Sequence, residues 1–89
     1  MPVTQKHIDK AIEIAKSYNA TKLLLFGSAL NDPANANDLD LACEGVDNAK
    51  FFHLAAEIED AVMLQVDLVP LDHTDLFINY IKKYGRFLI

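Results

Sequence analysis

The stretch from Lys22 to Cys43 reads KLLLFGSALNDPANANDLDLAC. Two apolar segments are separated by a polar one, and each apolar segment carries its own signal. Lys22-Leu23-Leu24-Leu25-Phe26 is too short for a helix and is stopped by Gly27, so it reads as a buried strand. Asp38-Leu39-Asp40-Leu41-Ala42-Cys43 opens on an alternation of polar and apolar residues and reads as a second strand. The segment Asn31 to Asn37, rich in Asn, Asp, Ala and Pro, is expected to be a mobile loop.

Outward toward the N-terminus, Thr4 is a natural N-cap, and Ile8, Ala11, Ile12 and Ala15 recur at helical spacing in a helix ending near Asn19. Toward the C-terminus, Phe51, Leu54, Ala55, Ile58 and Val62 repeat at helical intervals after a cap at Asp47 or Asn48. Met63 to Val69 forms the third strand, which Pro70 helps to end. Thr74 can cap a final helix in which Phe77, Tyr80, Ile81 and Tyr84 make the buried stripe and Gly85 follows the last turn. The order helix, strand, strand, helix, strand, helix predicts a small α/β (α+β) domain, a mixed sheet of three to four strands with helices packed on one face. Without repeat or linker, residues 1–89 read as a single domain. The apolar ending Phe87-Leu88-Ile89 is expected to dock on the domain or on a partner, which is compatible with homo- or hetero-oligomeric assembly.

Composition narrows the function classes. With 52% hydrophobic and 24% charged residues, the chain reads as a compact globular protein. Its 89 residues suffice for one core and leave no room for a separate substrate domain. A net charge of -5, with eight Lys and Arg scattered along the chain, argues against a large nucleic-acid footprint and favours a basic partner. The start lacks a leader pattern, and no apolar run approaches the roughly 20 residues needed to cross a bilayer, so a cytoplasmic location without membrane contact is expected. Cys43 is the only cysteine, which rules out an internal disulfide and a site built on several thiolates.

The candidate chemistry follows from strand parity. In the second strand Asp38 and Asp40 share one face, roughly 6.6 Å apart along the chain, while Leu39, Leu41 and Cys43 point into the core. Cys43 therefore reads as a buried structural thiol. In the third strand Gln65, Asp67 and Val69 share a face, and an ionised Asp67 amid valines and leucines is costly without a partner. If the second and third strands are neighbours, Asp67 completes a three-carboxylate cluster, and three anions this close call for a bound cation. Magnesium suits hard oxygen ligands supplemented by substrate phosphates. Gly27 lets the backbone approach a phosphate, and Ser28 can donate its hydroxyl and amide at the start of a short helical turn. Together these residues predict a two-metal displacement, in which Asp38 and Asp40 bridge two Mg2+ ions and Asp67 holds the second ion or accepts a proton. His7, His53 and His73 read as solvated, Lys22 as a surface lysine, and the aromatic residues Phe51, Phe52, Phe77, Tyr80 and Tyr84 as core or interface.

Leu24-Leu25-Phe26-Gly27-Ser28, Asp38-Leu39-Asp40-Leu41 and Val66-Asp67-Leu68-Val69 resemble the motifs of the minimal nucleotidyltransferases (MNT) of the DNA polymerase beta superfamily. The resemblance implies a small nucleotidyltransferase fold and an antitoxin partnered with a HEPN-domain protein, transferring AMP from ATP to that partner. It also implies that Gly27 and Ser28 bind the nucleotide and that Asp38, Asp40 and Asp67 bind metal and catalyse. The family's arginine after the glycine-serine pair is replaced here by Ala29, followed by Leu30 and Asn31. That departure leaves a second reading open, a module of the same fold that neutralises its partner by binding alone. A small-molecule nucleotidyltransferase is a third, which would need a further domain to hold the acceptor.

Overall fold

Three leucines in succession, Leu23, Leu24 and Leu25, demand cover on both sides of a strand, and the architecture supplies it. The computed structural model describes residues 2–72 and 75–89. In chain order the elements are α1 (Gln5–Ser17), β1 (Lys22–Phe26), the single-turn α2 (Ser28–Asn31), β2 (Asp38–Glu44) and a 3-10 turn (Asn48–Lys50). They continue with α3 (Phe51–Val62), β3 (Gln65–Pro70), α4 (Leu76–Tyr84) and β4 (Arg86–Phe87). Among the described residues, no helix is long and apolar enough to cross a membrane.

The four strands form one mixed sheet in the order β3-β2-β1-β4. β1 runs antiparallel to β2, with Leu24 opposite Ala42 and Phe26 opposite Asp40. β3 runs parallel to β2, with Asp40 opposite Asp67, and α3 is the crossover that a parallel pair requires. Glu59 of α3 reaches the start of β3, where its Oε1 accepts the Val66 N–H at 2.9 Å. That bond helps to set the register that brings Asp67 level with Asp40.

Leu23 and Leu25 of β1 and Leu39, Leu41 and Cys43 of β2 pack with Ile8, Ala11 and Ile14 of α1 and Leu54 and Ile58 of α3. On the opposite face Leu24 and Ala42 pack with Leu71 and with Ile78 and Ile81 of α4. The helices thus cover both faces, not one as the sequence order predicts. Two apolar positions on the second face, Leu24 and Ala42, are enough to seat a short helix.

Of the predicted α4 stripe Phe77, Tyr80, Ile81 and Tyr84, Ile81 alone is buried. Ile78 and Ile81 face inward, whereas Phe77, Tyr80 and Tyr84 are 52%, 57% and 58% exposed. Aromatic rings tolerate partial exposure, so helical spacing alone does not decide which side of this helix is the core. The cap is Asp75, whose Oδ1 accepts the Ile78 N–H at 2.8 Å; Thr74 and His73 lie outside the described residues. Elsewhere the sequence signals hold more closely. Thr4 precedes α1 and donates its N–H to His7 Nδ1 at 3.0 Å, and Asp47 caps the 3-10 turn that leads into α3. The third strand begins at Gln65 because Met63 adopts a left-handed conformation, φ 59°, that closes α3. The Asn31 to Asn37 segment is tied down: Val3 donates its N–H to Pro33 O at 2.9 Å, and Ala36 is buried.

The apolar ending docks on the domain itself. β4 pairs with β1, Leu88 donates its N–H to Leu23 O at 2.7 Å, and Leu88 and Ile89 pack against the α1/α3 side. Gly85 permits this return by its lack of bulk, since its φ of -71° is available to any residue. A Cβ there would lie 2.5 Å from Ile81 O and 3.2 Å from Leu25 O, both backbone atoms that cannot swing aside. Gly85→Ala is therefore expected to cost about 1–3 kcal/mol in a urea titration, the usual scale of overpacking.

Candidate active site

Parity in β2 places Asp38 and Asp40 on the α4 side of the sheet, together with Ala42, while Leu39 and Leu41 anchor the strand on the other side. β3 adds Asp67 beside Asp40 on the same face. All three predicted carboxylates therefore lie on one face of two adjacent strands. Their environments differ, however. Asp38 and Asp40 are half-buried, and Asp67 is exposed. The desolvated acid is Asp40, not Asp67 as the neighbouring valines and leucines predict, because edge-strand β3 leaves its polar face open to water.

Burial, and then the charge of Asp67, a hydrogen bond with Asp67 and the charge of Asp38, raise the Asp40 carboxyl above the ordinary carboxylate range. A hydrogen bond between two carboxyls needs a proton on one of them, so this pair favours a shared proton or a cation. Ion pairs among the described residues are Lys10–Glu13 and Lys22–Glu44, and neither touches the carboxylates. Lys22 stands at the far end of β1, as a surface lysine.

Gly27 connects the carboxylates to the turn that follows β1. It has φ 71° and ψ -151°, a conformation that favours glycine. A Cβ there would strike Asp40 Oδ2 and lie 3.2 Å from Asp40 Cγ. Leu30 and Asn31 both donate their N–H to Gly27 O at 3.1 Å, closing α2. The amides of Ser28 and Ala29 open this turn and have no acceptor within it, and the Ser28 side chain is exposed beside them. Ala29, where the arginine of the resembled family would stand, is only 2% exposed and fills the α1/α3 core.

The donor set suits a hard divalent cation: three carboxylates on one face, no ion pair to them among the described residues, and a glycine that leaves open the space next to Asp40. Among the described residues no three such side chains converge into a preformed metal cage. Magnesium commonly binds through one or two carboxylates plus water and substrate phosphates. A cavity of about 700 Å³ lies elsewhere, at the C-terminal end of β2 beside Tyr18, Lys50 and His53. A smaller one of about 390 Å³ adjoins the site and is lined by Phe26, Gly27, Asn31 and the exposed aromatics of α4. The sequence reading missed this wall, because a spacing such as Phe77, Tyr80 and Tyr84 fits a core stripe equally well. Cys43 is buried as expected, and burial, with a smaller contribution from the charge of Asp72, pushes its thiol up to about 11.

No protein-family model matches the sequence, and the search of curated proteins finds no match. Solved structures do match. A chain of the toxin–antitoxin complex MntA–HepT aligns with TM-score 0.75 at 23% identity, covering 97% of this chain and 72% of its own length. A chain of a toxin–antitoxin structure with AMP-PNP gives 0.77 at 25% identity, covering 91% of this chain and 71% of that one. A third belongs to a complex of tri-AMPylated HEPN toxin with MNT antitoxin from Shewanella oneidensis, with TM-score 0.74, 23% identity, and coverage of 96% and 71%. The chain therefore has the nucleotidyltransferase fold of these MNT complexes, in keeping with the resemblance carried by its Gly27-Ser28 and aspartate motifs.

The raised Asp40 carboxyl has a measurable consequence in metal-free buffer. The folded state holds this proton more tightly than the unfolded chain does. Its contribution to stability is present below the unfolded carboxylate value and is lost as pH rises through the folded one. Asp40→Asn is expected to flatten that loss and to match or exceed the unaltered chain in stability at neutral pH, read by urea titrations in EDTA across the acid range.

Proposed function

We propose that the chain is a magnesium-dependent nucleotidyltransferase that moves AMP from ATP to a HEPN-domain protein partner in the cytoplasm, and so acts as its antitoxin. The observation that carries this reading is the contact of Gly27 with Asp40, with Asp67 opposite and Asp38 on the same face. One small region then offers phosphate-facing donors and acidic ligands together. The likeness to complexes of MNT antitoxin with AMPylated HEPN toxin, and to one with AMP-PNP, supports the choice of partner and nucleotide.

The chain's own groups have distinct tasks. The amides opening α2 and the Ser28 hydroxyl donate to phosphate oxygens, and Gly27 allows the phosphates to approach. Asp38, Asp40 and Asp67 would hold magnesium, which when bound neutralises phosphate charge and lowers the pKa of an attacking hydroxyl. The acceptor hydroxyl forms a new bond to the α-phosphorus, the bond to the bridging oxygen breaks, and pyrophosphate leaves. Asp67, the exposed member of the three, would accept the hydroxyl proton.

Binding without catalysis is a second reading, favoured by one observation: α2 carries no basic residue, and Ala29 is committed to the core. Incubation with ATP, magnesium and the HEPN-domain partner, followed by intact mass measurement, separates the two. The expected result is a gain of one or more AMP units on the partner. Asp40→Asn is expected to slow that gain about 100-fold or more, the scale of losing one group that stabilises transition-state charge. A stable complex with no mass gain would establish the second reading.

A further inference from the structure

Among the described residues no strand pairs with the outer side of β3. Parity decides which of its groups face outward. Leu71, just past the strand, donates its N–H inward to Cys43 O at 2.9 Å. The odd-numbered residues of β3 therefore pair with β2, and the even-numbered ones, Val66, Leu68 and Pro70, turn their backbone groups outward. These three are not equivalent. The Val66 N–H is taken by Glu59 Oε1, and Pro70 has no N–H. Leu68 carries the outward N–H left for a new strand, with its own C=O beside it. The side chains differ between the two faces. Leu68 and Pro70 line a groove of about 460 Å³ with Phe51 and Phe52 of α3, and Phe52 is 81% exposed. Asp67 points to the other face, level with Asp40. Glu59, Asp67 and Asp72 border this edge, and among the described residues no Lys or Arg lines the groove.

We infer that the open edge of β3 receives the acceptor-bearing segment of the partner protein as an added strand. The inference rests on the nucleotidyltransferase reading and deepens it, by assigning how the acceptor is presented. An added strand lies about 4.8 Å from β3, and its side chains alternate in step with those of β3. The residue opposite Leu68 enters the Phe51 and Phe52 groove, and the residue opposite Asp67 points to the carboxylate face. A hydroxyl at that second position is a cross-strand neighbour of Asp67. Its oxygen bonds to the α-phosphorus, the bond to the bridging oxygen breaks, pyrophosphate leaves, and the proton passes to Asp67. Continuity with the site and charge decide the occupant. The acidic border selects a segment with basic residues flanking the hydroxyl and apolar residues next to it. It disfavours a second copy of this chain, which would bring another acidic edge. The Glu59 cap and Pro70 restrict indiscriminate edge pairing further.

The end-blocked peptide Arg-Val-Tyr-Val-Arg, added to the full chain with magnesium ATP, tests this. By NMR hydrogen exchange, the peptide should slow exchange of the Leu68 amide and leave that of Asp67, already paired with β2, unchanged. Phe52→Ala should weaken peptide binding about tenfold, the scale of one interface aromatic, with circular dichroism unchanged because the ring is exposed. N-methylation of the valine amides, or of the tyrosine and second arginine amides, blocks alternate edges of the peptide. One pattern should abolish binding and the other preserve it. Mass measurement should find AMP on the tyrosine. Unchanged Leu68 exchange, or equal effects of the two methylation patterns, overturns strand addition; AMP gained by the partner protein in that case leaves the nucleotidyltransferase reading in place. Leu68 protection that grows with the concentration of this chain alone assigns the edge to a second copy and overturns the inference too. Leu68 protection by the peptide with no AMP on either peptide or partner supports the docking edge and overturns the nucleotidyltransferase reading.

Discussion

The site depends on one close approach, that of the Gly27 backbone to the Asp40 carboxyl. β1 must end, turn through a left-handed residue and start a helix within van der Waals distance of a charged side chain on the neighbouring strand. Only a residue without Cβ fits there. The antiparallel register that sets Phe26 opposite Asp40 brings the two together, and the leucines on the other face of both strands hold that register in place. A slip of one residue would send the carboxylates into the core and the leucines into water.

The sheet divides the work between its faces. The α1/α3 side is apolar from end to end, from Ile8 to Leu88, and supplies most of the burial on which a chain this small relies. The α4 side is covered only where Leu24 and Ala42 lie. The short helix seated there leaves the Asp38, Asp40 and Asp67 end of the same face accessible, and its own outer aromatics border the opening. Carboxylates cannot be buried without cost, so a face that carries them stays partly open.

Much of this was legible in the sequence. Gly27 ends β1, the Asp38-Leu39-Asp40-Leu41 alternation defines β2, and the parity of β3 aims Asp67 to the same side, because each is a local rule of backbone geometry. The failures are equally physical. Phe77, Tyr80 and Tyr84 share a helical face, but so do Ile78 and Ile81, and only docking against Leu24 and Ala42 selects between them. Arg86-Phe87 is too short to announce itself as a strand; it exists because β1 offers a free edge and Gly85 lets the chain return to it. Asp67 escapes the burial cost that its apolar neighbours in sequence suggest, because Val66 and Leu68 alternate to the opposite face and the edge strand remains wet.

The sequence by itself determined the three longer helices and the three longer strands, the shared face of Asp38 and Asp40, and the turn at Gly27, since all of these follow from periodicities of a few residues. Only the tertiary structure decided that β3 pairs in parallel with β2, that Asp40 is the acid most affected by burial, that helices cover both faces, and that an aromatic cavity opens beside Gly27. These depend on residues far apart in the chain. The burial and charge each side chain meets are set by what the rest of the molecule packs against it, and no local pattern encodes that.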